Sequence, residues 1–196
     1  MTKRTGIFGG TFNPIHIGHL ALANYLCEYG ELDELWLVVS PQNPFKRDMQ
    51  LAPDDVRLEM VSAALEGYPR MMASDVEFSL PRPSYMVNTL RSLIAAHPDR
   101  RFTLVIGADN WSSFPRWYAS EEILRLCDII VYPRPGYPID PASLPTNVHL
   151  IPTPLLEISS TFIRESIRNG KDVRFFVHPK VHEIIESRGL YKGDKL

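Results

Sequence analysis

Gly9-Gly10-Thr11-Phe12-Asn13-Pro14-Ile15-His16-Ile17-Gly18-His19-Leu20 follows one short apolar run and opens a second, longer one. Ile7 and Phe8 end a strand-like segment, the glycine pair permits a tight turn with backbone close to a ligand, and Gly18-His19 begin a helical pattern that runs through Tyr29. Strand, glycine turn, helix is the layout of a phosphate site. Orphan N–H groups and the positive end of the helix macrodipole lie at such a start and stabilise anions there. Gly18 is expected to remove a side chain that would block the phosphate, and His16 and His19, one helical turn apart, to flank it. A metal site is a poorer reading, since no Cys, Asp or Glu stands nearby at ligand spacing.

Outward from this stretch, Gly30 reads as a helix cap and Glu34 to Val39 as a second strand. Strand, helix, strand normally makes a right-handed crossover into a parallel sheet. Ser40 to Arg47 then form a loop at the strand's carboxyl end, with Lys46 and Arg47 as cations, at the edge where open α/β sheets bind ligands. Pro53-Asp54-Asp55 open a helix whose apolar stripe is Val56, Met60, Ala63 and Ala64. Val76 and Phe78 alternate with Asp75, Glu77 and Ser79, which predicts a strand over 71–80. Ser84 is the expected N-cap of a helix carrying Tyr85, Val87, Leu90 and Leu93.

Phe102 to Ile106 is a continuous apolar run of the kind found in central parallel strands, closed by Gly107-Ala108-Asp109. Ser120-Glu121-Glu122 cap a short helix, Ile129 to Val131 form a strand, Tyr132 to Pro145 a long proline-rich loop and Val148 to Ile151 a last strand. Ser159 caps a helix ended by Asn169-Gly170, and Pro179 starts a final one through Arg188. The alternation predicts α/β architecture: a Rossmann-like, doubly wound, mainly parallel sheet in a three-layer single domain over residues 1–196.

A second motif, Ile158-Ser159-Ser160-Thr161-Phe162-Ile163-Arg164, puts three hydroxyls at a helix start and an arginine one turn on. The helix start and hydroxyls suit β- and γ-phosphates, and Arg164 supplies a planar fork for two oxygens. The first stretch resembles the signature of the nucleotidyltransferase superfamily that shares its His-x-Gly-His element with class I aminoacyl-tRNA synthetases, here His16-Ile17-Gly18-His19. In that superfamily a late Ser-Ser-Thr-x-x-Arg segment is the companion phosphate site.

Pro83-Ser84-Tyr85, Gly107-Ala108-Asp109, Phe114 to Tyr118, Arg134-Pro135-Gly136-Tyr137 and Gly189-Leu190-Tyr191 resemble the bacterial nicotinate-nucleotide adenylyltransferase family over nearly the whole chain. The resemblance implies transfer of adenylyl from ATP to nicotinate mononucleotide, giving deamido-NAD and pyrophosphate, with Mg²⁺ carried by the substrate phosphates rather than by protein ligands. It implies His16, His19, Lys46 and Arg164 as catalytic groups. For ATP it implies Gly9, Gly10, Thr11, Phe12, His16, Gly18, His19, Gly107, Asp109, Arg134, Ile158, Ser159, Ser160 and Arg164. For the nicotinate nucleotide it implies Asn13, Lys46, Ser84, Tyr85, Met86, Trp117 and Tyr118, with Trp117 stacked on the pyridine and backbone N–H groups near Tyr85, Met86 and Tyr118 receiving the carboxylate. Three positions depart from the commonest pattern: Asn13 stands where Asp is usual, Phe45 where His is usual and Met86 where Thr is usual. Pantetheine-phosphate adenylyltransferase is the nearest alternative within the superfamily, and Trp117-Tyr118 and the chain length argue against it.

Composition bounds the partners. A net charge of −2, from 21 Lys and Arg against 23 Asp and Glu, gives no long-range attraction for nucleic acid or an anionic membrane, so a polyanionic substrate must be held by local charge. Cys27 and Cys127 sit in separate apolar segments as expected for buried reduced thiols, and no secretory or membrane-spanning run is seen, which reads as cytoplasmic. The sequence leaves the oligomeric state open and permits a homo-oligomer.

Overall fold

The computed structural model describes residues 2–41, 51–154 and 156–193. The expected loop residues Lys46 and Phe45 lie outside them. Six strands form one sheet: β1 (Lys3–Gly10), β2 (Glu34–Val39), β3 (Met71–Ser74), β4 (Arg100–Gly107), β5 (Asp128–Tyr132) and β6 (Val148–Leu150). Their order is β3-β2-β1-β4-β5-β6 and every pairing is parallel. The direction in which successive strands are added reverses between β1 and β4, so the carboxyl ends of these two strands border the crevice where such sheets bind ligands.

The helices are α1 (Ile17–Tyr29), α2 (Asp54–Leu65), α3 (Met86–Ala96), α4 (Ala108–Ser113), α5 (Ser120–Leu126), α6 (Ser160–Arg168) and α7 (Pro179–Ser187). Alternate residues of each strand point to opposite faces. Phe8, Leu35, Leu37, Val39 and Ile130 therefore pack with α1, α2, α6 and α7, whereas Ile7, Trp36, Val38, Leu104 and Ile129 pack with α3, α4 and α5. The three layers follow directly from this alternation. Cys27 lies in the first core and Cys127 in the second, both free and buried, with burial pushing their thiols up to about 11 and about 12.

Several local expectations need correction. Residues 71–80 are not one strand: β3 stops at Ser74 and Val76–Ser79 form a 3-10 turn that buries Glu77 and leaves Val76 and Phe78 half-buried. The N-cap of α3 is Tyr85, not Ser84, and that of α5 is Ala119 in the left-handed region. Helix α4 follows Gly107 where only a strand end was expected. In α2 the buried positions are Val56, Arg57, Met60, Val61 and Leu65, while Ala63 and Ala64 are only half-buried, so the stripe expected there includes a cation and omits two alanines.

Candidate active site

The turn after β1 is fixed on every side. Gly9 and Gly10 end the strand, and a Cβ on Gly9 would meet Met86 Cε at 3.0 Å while one on Gly10 would meet the Phe12 ring at 3.0 Å. Phe12 itself is buried and holds φ at +44°, a conformation that L side chains adopt only when surrounded by fixed structure. Its ring stands edge-on to Phe8 and to His19. Asn13 is fully buried: its Oδ1 accepts from Ala52 N–H at 3.1 Å and from the Tyr191 hydroxyl at 2.8 Å. Thr11 and Asn13 thus face inward through their backbone and side-chain oxygens.

Arg57, fully buried, was not singled out by the sequence. Its guanidinium donates to the carbonyls of Thr11 at 2.6 Å and Ser40 at 2.8 Å and pairs with Asp54 at 2.5 Å, knitting the β1 turn to the end of β2. A cation beside the apolar positions Val56 and Met60 was the available signal. Tyr191 was quoted only as part of a terminal resemblance. Burial holds its phenol protonated well above the usual range, against the pull of the Arg164 charge.

His16 caps α1 and stacks on His19 with ring centroids 3.6 Å apart. The His16 backbone N–H donates to His19 Nδ1 at 3.3 Å, which places the neutral ring's proton on Nε2. Burial, aided by the Arg134 charge, pushes His16 down to about 4, so it is neutral near pH 7. Its Nδ1 is buried without a hydrogen-bond partner among the described residues. Gly18 serves this pair first: a Cβ there would lie 3.1 Å from His16 Nδ1, so the missing side chain makes room for the imidazole. The α1 start is also partly used, because Ile17 N–H donates to the Phe176 carbonyl at 2.9 Å.

The second motif joins the first. Ser159 Oγ accepts from Phe162 N–H at 3.1 Å as the cap of α6, Ser160 Oγ donates to the Pro14 carbonyl at 2.9 Å, and Arg164 donates to the Asn13 carbonyl at 2.8 Å and to Thr161 Oγ1 at 3.2 Å. The hydroxyls expected to face phosphates are therefore engaged with the β1 turn or their own helix in this structure. Ile158 brings its carbonyl to 3.6 Å from the Cβ position of Gly18. Beyond β4, Arg134 lies across Gly107, pairs with Asp109 at 3.7 Å and covers the Tyr132 ring at 5.2 Å.

The third group lies on the other helical layer. Tyr85 and Tyr118 rings meet at 4.9 Å, Trp117 packs on Phe114 at 5.4 Å with its indole N–H buried and unpartnered among the described residues, and Tyr118 is exposed. The start of α3 carries no side-chain cap. Its contact to the first group runs through Met86 and Gly9. Among the described residues no three His, Cys, Asp or Glu side chains form a metal-ligand group; Asp54 is paired with Arg57 and Asp109 with Arg134.

Residues 7–166 match the cytidylyltransferase-like family. A six-stranded parallel sheet with a stacked His-x-Gly-His pair at its switch point defines the chain as a nucleotidyltransferase of that class. Curated relatives named "Probable nicotinate-nucleotide adenylyltransferase" include one from Bacteroides thetaiotaomicron, 59% identical over 182 residues, or 93% of this chain and 90% of that one. Another, from Bacteroides fragilis, is 57% identical with the same coverage. The chain belongs to the nicotinate-nucleotide adenylyltransferase family. A solved structure described as Plasmodium falciparum nicotinic acid mononucleotide adenylyltransferase complexed with NaAD shares the fold, with a TM-score of 0.81 at 22% identity over 96% of this chain and 97% of that one. No described helix is long and apolar enough to cross a membrane.

Proposed function

We propose that the chain transfers adenylyl from ATP to nicotinate mononucleotide, releasing pyrophosphate and forming nicotinate adenine dinucleotide. The observation that carries this reading is the stacked His16–His19 pair at the β1–β4 switch point, with α6 bonded to the same turn. An acceptor phosphate oxygen attacks the α-phosphorus of ATP, the bond to the bridging oxygen breaks, and pyrophosphate leaves. The attacking oxygen is already ionised, so no protein base is required and catalysis is positioning plus charge stabilisation. His19 Nε2–H donates to the α-phosphate, and neutral His16 holds the His19 ring in place by stacking. Arg164 and Lys46 meet the leaving phosphates, with Arg164 exchanging its bond to the Asn13 carbonyl for phosphate oxygens. Gly107, Asp109 and Arg134 border the adenosine.

A divalent cation, Mg²⁺ in this proposal, would be held by the substrate phosphates, which suits a site where Asp54 and Asp109 are both engaged with arginines. When bound it neutralises charge on the triphosphate. Two buried free thiols suit a reducing compartment, and we place the reaction in the cytoplasm.

The uncapped start of α3 is the acceptor reader. Nicotinate offers a carboxylate to its N–H groups, whereas nicotinamide turns an NH₂ toward donors. Macrodipole attraction of about 0.3–2 kcal/mol and a mispaired donor's cost of about 1–3 kcal/mol together predict a roughly tenfold to several-thousand-fold preference in kcat/KM for the acid. Pyrophosphate release is measured with ATP and, separately, nicotinate mononucleotide, nicotinamide mononucleotide and phosphopantetheine. Equal use of acid and amide would refute the carboxylate-reading site, and preference for phosphopantetheine would replace the acceptor altogether.

A further inference from the structure

The 3-10 turn Val76–Ser79 carries Glu77, which is only 1% exposed. Its Oε1 accepts from Thr89 Oγ1 at 2.8 Å, and Thr89 is itself fully buried on α3. The carboxyl also faces the hydroxyls of Ser40, just past β2, and of Ser84, in the turn that leads into α3. Glu77 Oε2 and Ser84 Oγ are both buried and neither has a hydrogen-bond partner among the described residues. The end of β2 and the turn and helix that follow Glu77 thus converge on one carboxyl. Glu34 makes the contrast clear, because that buried acid is paired with Lys3 and Arg100 at the opposite edge of the sheet.

We propose that Glu77 is a positioning residue whose carboxyl clamps the Ser84 turn and the first turns of α3 to the end of β2, presetting the backbone donors that read the acceptor. The inference rests on the assignment of the α3 start as the acceptor site. The groups that face Glu77 are the neutral Ser40, Ser84 and Thr89, with no charged side chain among the described residues that meet it. Burial is the leading influence and pushes the Glu77 pKa up. A protonated carboxyl has an O–H on Oε2 to give to Ser84 Oγ and keeps Oε1 for Thr89, which satisfies both unpartnered atoms. It also adds no negative charge beneath a site built for a carboxylate.

The test is steady-state kinetics of the parent, Glu77→Gln and Glu77→Ala across about pH 6 to 9, with both substrates varied. Gln keeps the size, one donor and one acceptor, so its KM for nicotinate mononucleotide stays within about threefold of the parent. Ala strands Ser84 and Thr89 and raises that KM by about tenfold or more while the KM for ATP stays near the parent value. Titration of the substrate phosphate is common to all three, so a difference in pH profile between the parent and Glu77→Gln reports Glu77 itself. Equal rises in both KM values, or an unchanged acceptor KM in Glu77→Ala, would each overturn the clamp. Should Glu77→Ala not fold, Thr89→Val, which removes the hydroxyl bonded to Glu77 Oε1, takes its place with the same split between the acceptor and ATP KM values expected. A substrate-free arm separates this from the acceptor assignment: a raised folded-state pKa means stability present at low pH and lost as pH rises through that value, so thermal melts of Glu77→Gln should lack that loss. If the parent does not adenylylate nicotinate mononucleotide, the acceptor assignment fails and the proposal with it, whatever the melts show.

Discussion

The two histidines of the motif have different environments and therefore different work. In the proposed transfer His19 acts through Nε2–H, since its Nδ1 accepts from His16 N–H. His19→Ala should lower kcat by about 10²–10³ with little change in the acceptor KM, as for loss of one preorganised donor; near-normal kcat would remove it from the mechanism. His16 is 4% exposed and held down to about 4. The unfolded chain takes up a proton at about 6.5, the folded one only near 4, so stability is full above the first value and declines as pH falls through the window. The loss attributable to this ring is on the order of 3 kcal/mol. Urea unfolding of His16→Asn, which keeps a good N-cap residue and has nothing to titrate, should show a shallower decline over that window, and an identical slope would mean the decline comes from other groups.

At the scale of elements, α6 is both a phosphate-binding candidate and a buttress. Arg164 ties the Asn13 carbonyl to Thr161 through the two arms of its fork. Arg164→Lys replaces the fork by a point charge and should raise the KM for ATP while the acceptor KM stays near its parent value; unaltered ATP kinetics would confine Arg164 to the buttress. The strand-turn-helix opening, β4 and the Ser159 cap were legible because each is written locally, in a glycine turn, an apolar run or a hydroxyl before an apolar stripe. Residues 76–79 were not. Val76 and Phe78 against Asp75 and Glu77 mimic a strand, and what turns that stretch into a 3-10 helix with Glu77 inside is its meeting with Thr89 on another element. The same holds for Arg57, whose acceptors at Thr11 and Ser40 lie 46 and 17 residues away. Motif residues could be named from the sequence, but their present engagement could not: Ser159, Ser160 and Thr161 read equally well as phosphate ligands and as internal bonds.

Across the whole molecule, the sheet brings the β1 and β4 ends together while α7 returns to α2 through the pairs Arg188–Glu59 and Lys180–Glu66. The segment beyond α7 then carries Tyr191 to Asn13. Tyr191→Phe leaves packing intact and removes one donor, which should lower stability by about 0.5–1.5 kcal/mol. Because the lost partner holds the motif turn, kcat/KM for ATP should fall by about three- to tenfold, measured beside chemical denaturation of the same samples. Lost stability with full activity would make Tyr191 a structural latch and nothing more.

Tyr191 and Asn13 are 178 residues apart in the chain, and Arg164 and Asn13 are 151 apart. During synthesis the motif turn emerges early and these two anchors late. At about 5–20 residues per second, roughly 10–35 s separate the birth of Asn13 from that of Tyr191. Through that interval a nascent polypeptide can begin its β1-α1-β2 unit and set Ala52 and Arg57 against the turn, yet lacks its two late anchors. A ribosome that stops before residue 191 thus leaves a chain with both histidines and a turn held from one side only, by Ala52 and Arg57.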